Sequence, residues 1–154
     1  MGKVEVKSGL GTFVKDKNND IYIEDLTEND SISPTEIFEA RIILEPQMAK
    51  LAAQRATKED LEMLKEVIEM KESISEDQIE EFEVLDGKFH SIIANASYND
   101  VLVKFSLNIN NLRNSRLWGN MKFKSLEKKG RITRYKNEHI GIYNALVNRD
   151  YVSV

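Results

Sequence analysis

The stretch Ile79-Glu80-Glu81-Phe82-Glu83-Val84-Leu85-Asp86-Gly87-Lys88-Phe89-His90-Ser91-Ile92-Ile93-Ala94-Asn95-Ala96 decides the fold. Its apolar residues Ile79, Phe82, Leu85, Phe89, Ile92 and Ile93 recur at the three-and-four spacing of a helix with one buried face. The spacing predicts a helix from about Asp77 to Ala96, ended by Ser97-Tyr98-Asn99-Asp100. Upstream, Ser33-Pro34-Thr35-Glu36 sets a cap residue, a proline at the first helical position and a glutamate three after the cap, so a helix starts there. Its apolar positions Phe38, Ile42, Leu44, Met48, Leu51 and Ala52 keep the period, and Pro46, which removes one internal hydrogen bond, predicts a kink. Thr57-Lys58-Glu59-Asp60 offers a second cap, ahead of Leu61, Leu64, Val67 and Ile68. Downstream, a fourth helix runs from near Asn99 through Val101, Leu102, Phe105, Leu107, Ile109, Leu112, Leu117 and Trp118. A fifth, roughly Leu126 to Asn148, buries Ile132, Tyr135, Ile142, Tyr143 and Leu146. The body is therefore an antiparallel helical bundle.

The front of the chain follows another rule. Val4, Val6, Phe13 and Val14 flank Ser8-Gly9-Leu10-Gly11-Thr12 in the manner of a short β-hairpin, and residues 15–32 are polar and turn-prone around Ile21, Tyr22, Ile23 and Leu26. With 154 residues, 41% hydrophobic and 31% charged, the chain has enough material for one domain with a substantial core. It lacks both a run of about 20 apolar residues and the apolar centre of a signal peptide, which points to the cytoplasm. The absence of cysteine excludes disulfides and thiolate metal sites, leaving His, Asp and Glu as ligands. A net charge of −4 makes the whole chain a poor non-specific ligand for phosphate backbones. The acidic run over residues 59–86 and the basic run Lys122 to Lys136 read as solvated helix faces.

Three polar residues interrupt the apolar stripes. Asp86 and His90, four apart, project a carboxylate and an imidazole to one side of their helix, as two ligands of a divalent cation would stand. The same spacing also suits a buried histidine whose tautomer is fixed by an aspartate. His139, four after Tyr135 and three before Ile142, points inward too, so both histidines of the chain face the interior. Arg41, between Phe38 and Ile42, is a further inward polar residue that needs an acid, either Glu45 one turn later or a bound carboxylate. No residue is assigned a catalytic role: a nucleophile elbow, a His-Glu-x-x-His helix, a phosphate-binding glycine loop and a di-iron Glu-x-x-His are all missing.

Lys7-Ser8-Gly9-Leu10-Gly11-Thr12-Phe13-Val14 resembles the last strand and wing of a GntR-type winged helix. Glu39 to Pro46, Leu51-Ala52-Ala53, Leu85 to Asn99 and Glu138 to Leu146, in that order, resemble the C-terminal ligand-binding domain of the FadR-like branch, the FCD domain. The resemblance implies an all-α bundle of the FadR C-terminal type that lacks its last helix, in a chain cut short at both ends. Residues 1–16 would be a wing remnant, 17–32 a linker and 33–154 an incomplete effector-binding and dimerisation domain. It further implies a homodimer whose cavity takes a small carboxylic acid, often through a divalent metal.

Carried over, the metal ligands are Asp86, His90 and His139, with a fourth expected past Val154, and Arg41 is the effector's carboxylate partner. Imidazole ligands favour Zn2+ or Ni2+. Lys7, Gly9 and Gly11 would touch DNA only in a full-length form with an intact winged helix. The function so implied is the sensing part of a DNA-binding transcription regulator, without catalysis. Two rival readings are a metal-dependent helical-bundle enzyme, since three protein ligands and an open position suit catalysis, and a pure dimerisation fragment.

Overall fold

A computed structural model of the protein describes residues 3–7, 11–15, 32–113 and 116–154. Two strands, β1 (Lys3–Lys7) and β2 (Gly11–Lys15), pair antiparallel with Lys3 opposite Lys15 and Lys7 opposite Gly11. Gly9 and residues 17–31, to which the sequence assigned a DNA contact and a linker, lie outside the described residues. The rest is helical: α1 (Pro34–Arg55), α2 (Lys58–Glu72), α3 (Ile79–Ala96), α4 (Asp100–Arg113), α5 (Arg116–Leu126) and α6 (Arg131–Val147). No helix among the described residues is long and apolar enough to cross a membrane.

Both predicted caps form. Ser33 Oγ accepts from the Glu36 backbone N–H at 3.2 Å while Glu36 accepts from Ser33 N–H at 2.8 Å, and Thr57 and Asp60 repeat the exchange at the start of α2. Pro46 sits inside α1, which runs on past it to Arg55. The helix expected through Leu112, Leu117 and Trp118 is described as α4 and α5, with residues 114–115 between them outside the described residues. One expectation needs correction. The last helix begins at Arg131 rather than Leu126, because Gly130 takes a left-handed backbone (φ 77°) that no helix can include. Leu126 instead closes α5 and packs with Phe82 and Ile132.

α3 is the central element, packed against α1, α2 and α4. Its buried stripe is Ile79, Phe82, Asp86, Phe89, Ile93 and Ala96, alternating three and four residues apart. On α2 the stripe is Leu64, Val67 and Lys71, and on α6 it is Ile132, His139 and Leu146. Toward one end of the bundle Ala49, Ala52, Ala53, Leu64, Val67, Phe89, Ile92, Ile93, Ala96 and Leu146 form one apolar cluster. A smaller cluster of Ile79, Phe82, Leu126 and Ile132 lies further along the same helices. Between these two clusters, α2, α3 and α6 each give up one stripe position to an ionisable residue: Lys71, Asp86 and His139.

Candidate metal and effector site

Asp86 is the hub of this polar layer. Its Oδ1 lies 3.3 Å from His139 Nε2, 3.8 Å from His90 Nε2 and 3.4 Å from Lys71 Nζ, and its Oδ2 lies 2.8 Å from Lys122 Nζ. A carboxylate buried this deeply needs such partners, because an uncompensated charge out of water is strongly disfavoured. Lys71 reaches His139 Nδ1 at 2.8 Å, and its ammonium sits 5.0 Å from the ring centres of both Phe82 and Phe89. A lysine ammonium only donates, so Nδ1 accepts and the ring proton stays on Nε2, facing Asp86.

Burial holds the His139 imidazole down to about 3, the Lys71 charge adds to the effect, and the nearby Asp86 carboxylate opposes it. His139 is thus a neutral imidazole at ordinary pH, the form a metal ligand requires. Phe89 fixes both histidine rings, with centroids 4.3 Å from His139 and 5.8 Å from His90. One donor atom from each of Asp86, His90 and His139 falls within 4.8 Å of the other two. The three residues singled out by their spacing therefore meet at one point.

Arg41 stands at the mouth of this cluster. Its guanidinium grips Glu45 through Nε at 2.7 Å and Nη2 at 3.3 Å, the neighbour that spacing suggested. His90 Nδ1 lies 4.0 Å from the same Glu45. A cavity of about 200 Å3 opens over Asp86, His90 and His139, and larger ones of about 350 and 450 Å3 adjoin it; Arg41 and Tyr135 line all three.

Sequence reasoning missed Lys71 and Lys122. A signal for Lys71 existed, since it follows Leu64 and Val67 at stripe spacing, but a lysine among acids reads as solvated. Lys122 lies in the basic run taken as a surface face, yet it bridges Asp86 and Glu83, the latter at 2.9 Å. Lys7 and Gly11 stand opposite each other in the pairing of β1 and β2.

Comparison with known proteins gives a consistent picture. A model of the FCD domain matches residues 36–154. The chain is 31% identical to the transcriptional regulator LutR of Bacillus subtilis over 95% of its own length and 68% of LutR. It is also 31% identical to the Uxu operon regulator of Haemophilus influenzae over 80% of its length, spanning about half (46%) of that protein. A galactonate operon transcriptional repressor of Escherichia coli is 25% identical over 96% of the chain and 65% of the repressor. Among solved structures, Streptococcus agalactiae GntR superimposes with a TM-score of 0.64 at 26% identity, over 97% of this chain and 67% of that one.

Proposed function

The chain belongs to the FCD family of GntR-type transcription regulators, and from that premise we propose that it is the effector-sensing and dimerisation part of such a regulator, binding a small carboxylic acid through a divalent metal. The observation that carries this reading is the convergence of Asp86, His90 and His139 beneath a cavity rimmed by Arg41.

The donor set fits such an ion. Two imidazoles and one carboxylate favour Zn2+ or Ni2+ over the harder Mg2+ and Ca2+. The charges fit as well. Arg41, Lys71 and Lys122 pair with Glu45, Glu83 and Asp86, three cations against three carboxylates, so these residues alone offer an acid no excess positive charge. A bound divalent cation supplies that charge and an open position for the effector's carboxylate. Around it, Phe89 would hold the His139 ring in place, Glu45 would steady Arg41, and Arg41 would receive the acid from the cavity side. Neutral His139 would present Nε2 to an ion with its proton moved to Nδ1, so Lys71 would give up its bond to that atom and keep the one to Asp86. A relative named for a galactonate operon is in keeping with an acid as effector.

The same premise extends the reading to the whole regulator. Residues 1–16 would be the wing of a winged helix, through which Lys7, Gly9 and Gly11 would contact DNA; the partner of the bundle is a second copy of itself, the compartment is the cytoplasm, and no catalysis is assigned. Calorimetry with Zn2+ tests the site: wild type should give saturable heat that His90→Ala loses, and equal heats from the two would remove the proposed ligand set. Light scattering tests the assembly, since a stable monomer of 17.7 kDa contradicts the dimer.

A further inference from the structure

We propose that Lys122 reads a second carboxylate of the effector, so that the site selects short dicarboxylic acids over monocarboxylic ones; this rests on the metal-assisted acid binding proposed above. Two ammoniums touch Asp86, and they differ in access. The Lys71 side chain is 2% exposed and sealed between Phe82 and Phe89, whereas that of Lys122 is 14% exposed and lines both the cavity over Asp86 and the adjoining one of about 350 Å3. Only Lys122 can reach a molecule in the cavity without unpacking the bundle.

Lys71 bonds Oδ1 of Asp86, the oxygen that faces both imidazoles, and Lys122 bonds Oδ2. A cation drawing on that carboxylate would leave less charge for both ammoniums, and of the two only Lys122 has the cavity to turn to. The charge balance points the same way. Three cations and three carboxylates cancel, and Glu138, which also lines the cavity, is answered by Arg134; a divalent ion would add two positive charges, and one monocarboxylate would leave one of them unanswered. A diacid answers both. Because Lys122 Nζ is 2.8 Å from the proposed ligand Asp86, the two carboxylates must be close together, as in an acid of about four carbons or fewer. Thr35, Ser125 and Tyr135, which line the adjoining cavity with Lys122, leave polar contacts for the rest of such a molecule.

The test uses the 154-residue chain loaded with Zn2+ and titrated by calorimetry with succinate and with propionate, retention of the ion being checked after each titration. Wild type should bind succinate at least about tenfold more tightly, as one added charge-assisted hydrogen bond gives. Lys122→Gln, measured on protein saturated with Zn2+, should reduce that preference to about twofold or less whatever its effect on the separate affinities, and Lys122→Arg, which keeps the cation, should retain most of it. Equal binding of both acids by wild type, or an undiminished preference in Lys122→Gln, overturns the role of Lys122 and leaves the sensing reading standing. If the loaded protein binds neither acid, the sensing reading falls and this proposal falls with it.

Discussion

The middle of α3 and its last two turns bury equally well by opposite chemistry. From Phe89 to Ala96 its stripe packs an apolar cluster with Leu64, Val67 and Leu146, where stability follows from area removed from water and from close packing. One turn back, at Asp86, the same stripe meets Lys71 and His139, where each charge is tolerable only while its partners stay. An apolar Asp86, Lys71 and His139 would extend the core without a break, so this layer is not what folding alone selects. Residues that break a local rule in an otherwise consistent core are where function is expected.

The largest effect should come from cutting the hub. Asp86→Ala leaves the Lys71 ammonium buried with a neutral imidazole, and denaturant unfolding should show a loss of about 3–5 kcal/mol. Lys71→Met, which places an apolar chain of similar size between Phe82 and Phe89, should be far milder. If Asp86→Ala is as mild as Lys71→Met, the layer does not act as a charge-paired unit.

Leu64→Ala, in the apolar half, should cost about 2–4 kcal/mol by opening a cavity beside Val67 and Phe89. Phe89 is a partner the two regions share, since it also packs on both histidine rings, and if it keeps its place Zn2+ affinity by calorimetry should stay within about twofold of wild type. A larger drop would mean that the apolar half sets the geometry of the polar one.

Much of this division was readable from the residues, and the unread part has a physical cause. Caps are local, so Ser33-Pro34-Thr35-Glu36 and Thr57 to Asp60 announced α1 and α2 with their hydrogen bonds intact. The four-residue step from Asp86 to His90 and the place of His139 in its stripe put all three toward one interior. Lys71 was invisible because a helical lysine is almost always solvated, and only its three-dimensional match to Asp86 and His139 makes burial tolerable. The role of Lys122 depends on how one helix lies on another, which a one-dimensional period does not encode.

The pH dependence of stability should isolate His139. Its folded value, about 3, lies below the ordinary 6.5 of the unfolded chain, so above pH 6.5 both states are neutral and nothing is lost. Below 6.5 the unfolded state takes up a proton that the folded state refuses, and stability falls as pH drops toward 3. Between pH 7 and pH 5 this residue should remove about 2 kcal/mol in metal-free protein. Urea unfolding of wild type and His139→Gln across that interval should differ in slope by this amount. Parallel profiles would place the imidazole in contact with water rather than in the sealed layer.

The smallest effect should come from the acidic face of α2, which carries more charges than the polar layer but carries them in water. Lys58 and Glu62 approach to 4.0 Å with side chains 85% and 63% exposed, and Lys65 pairs with Glu69 in the same style. At such exposure water screens the attraction, and ordering two long side chains offsets most of what remains. Glu62→Gln should therefore change unfolding free energy by no more than about 0.5 kcal/mol, with any change vanishing in 0.5 M salt. The same acid-to-amide exchange at Asp86 removes a charge that Lys71 and Lys122 both face, and it should be felt several times more strongly at either salt concentration. Equal responses at the two positions would mean that burial does not separate the structural charges of this chain from its solvated ones. The run from residue 59 to residue 86, uniform when read as sequence, would then be uniform in its energetics as well.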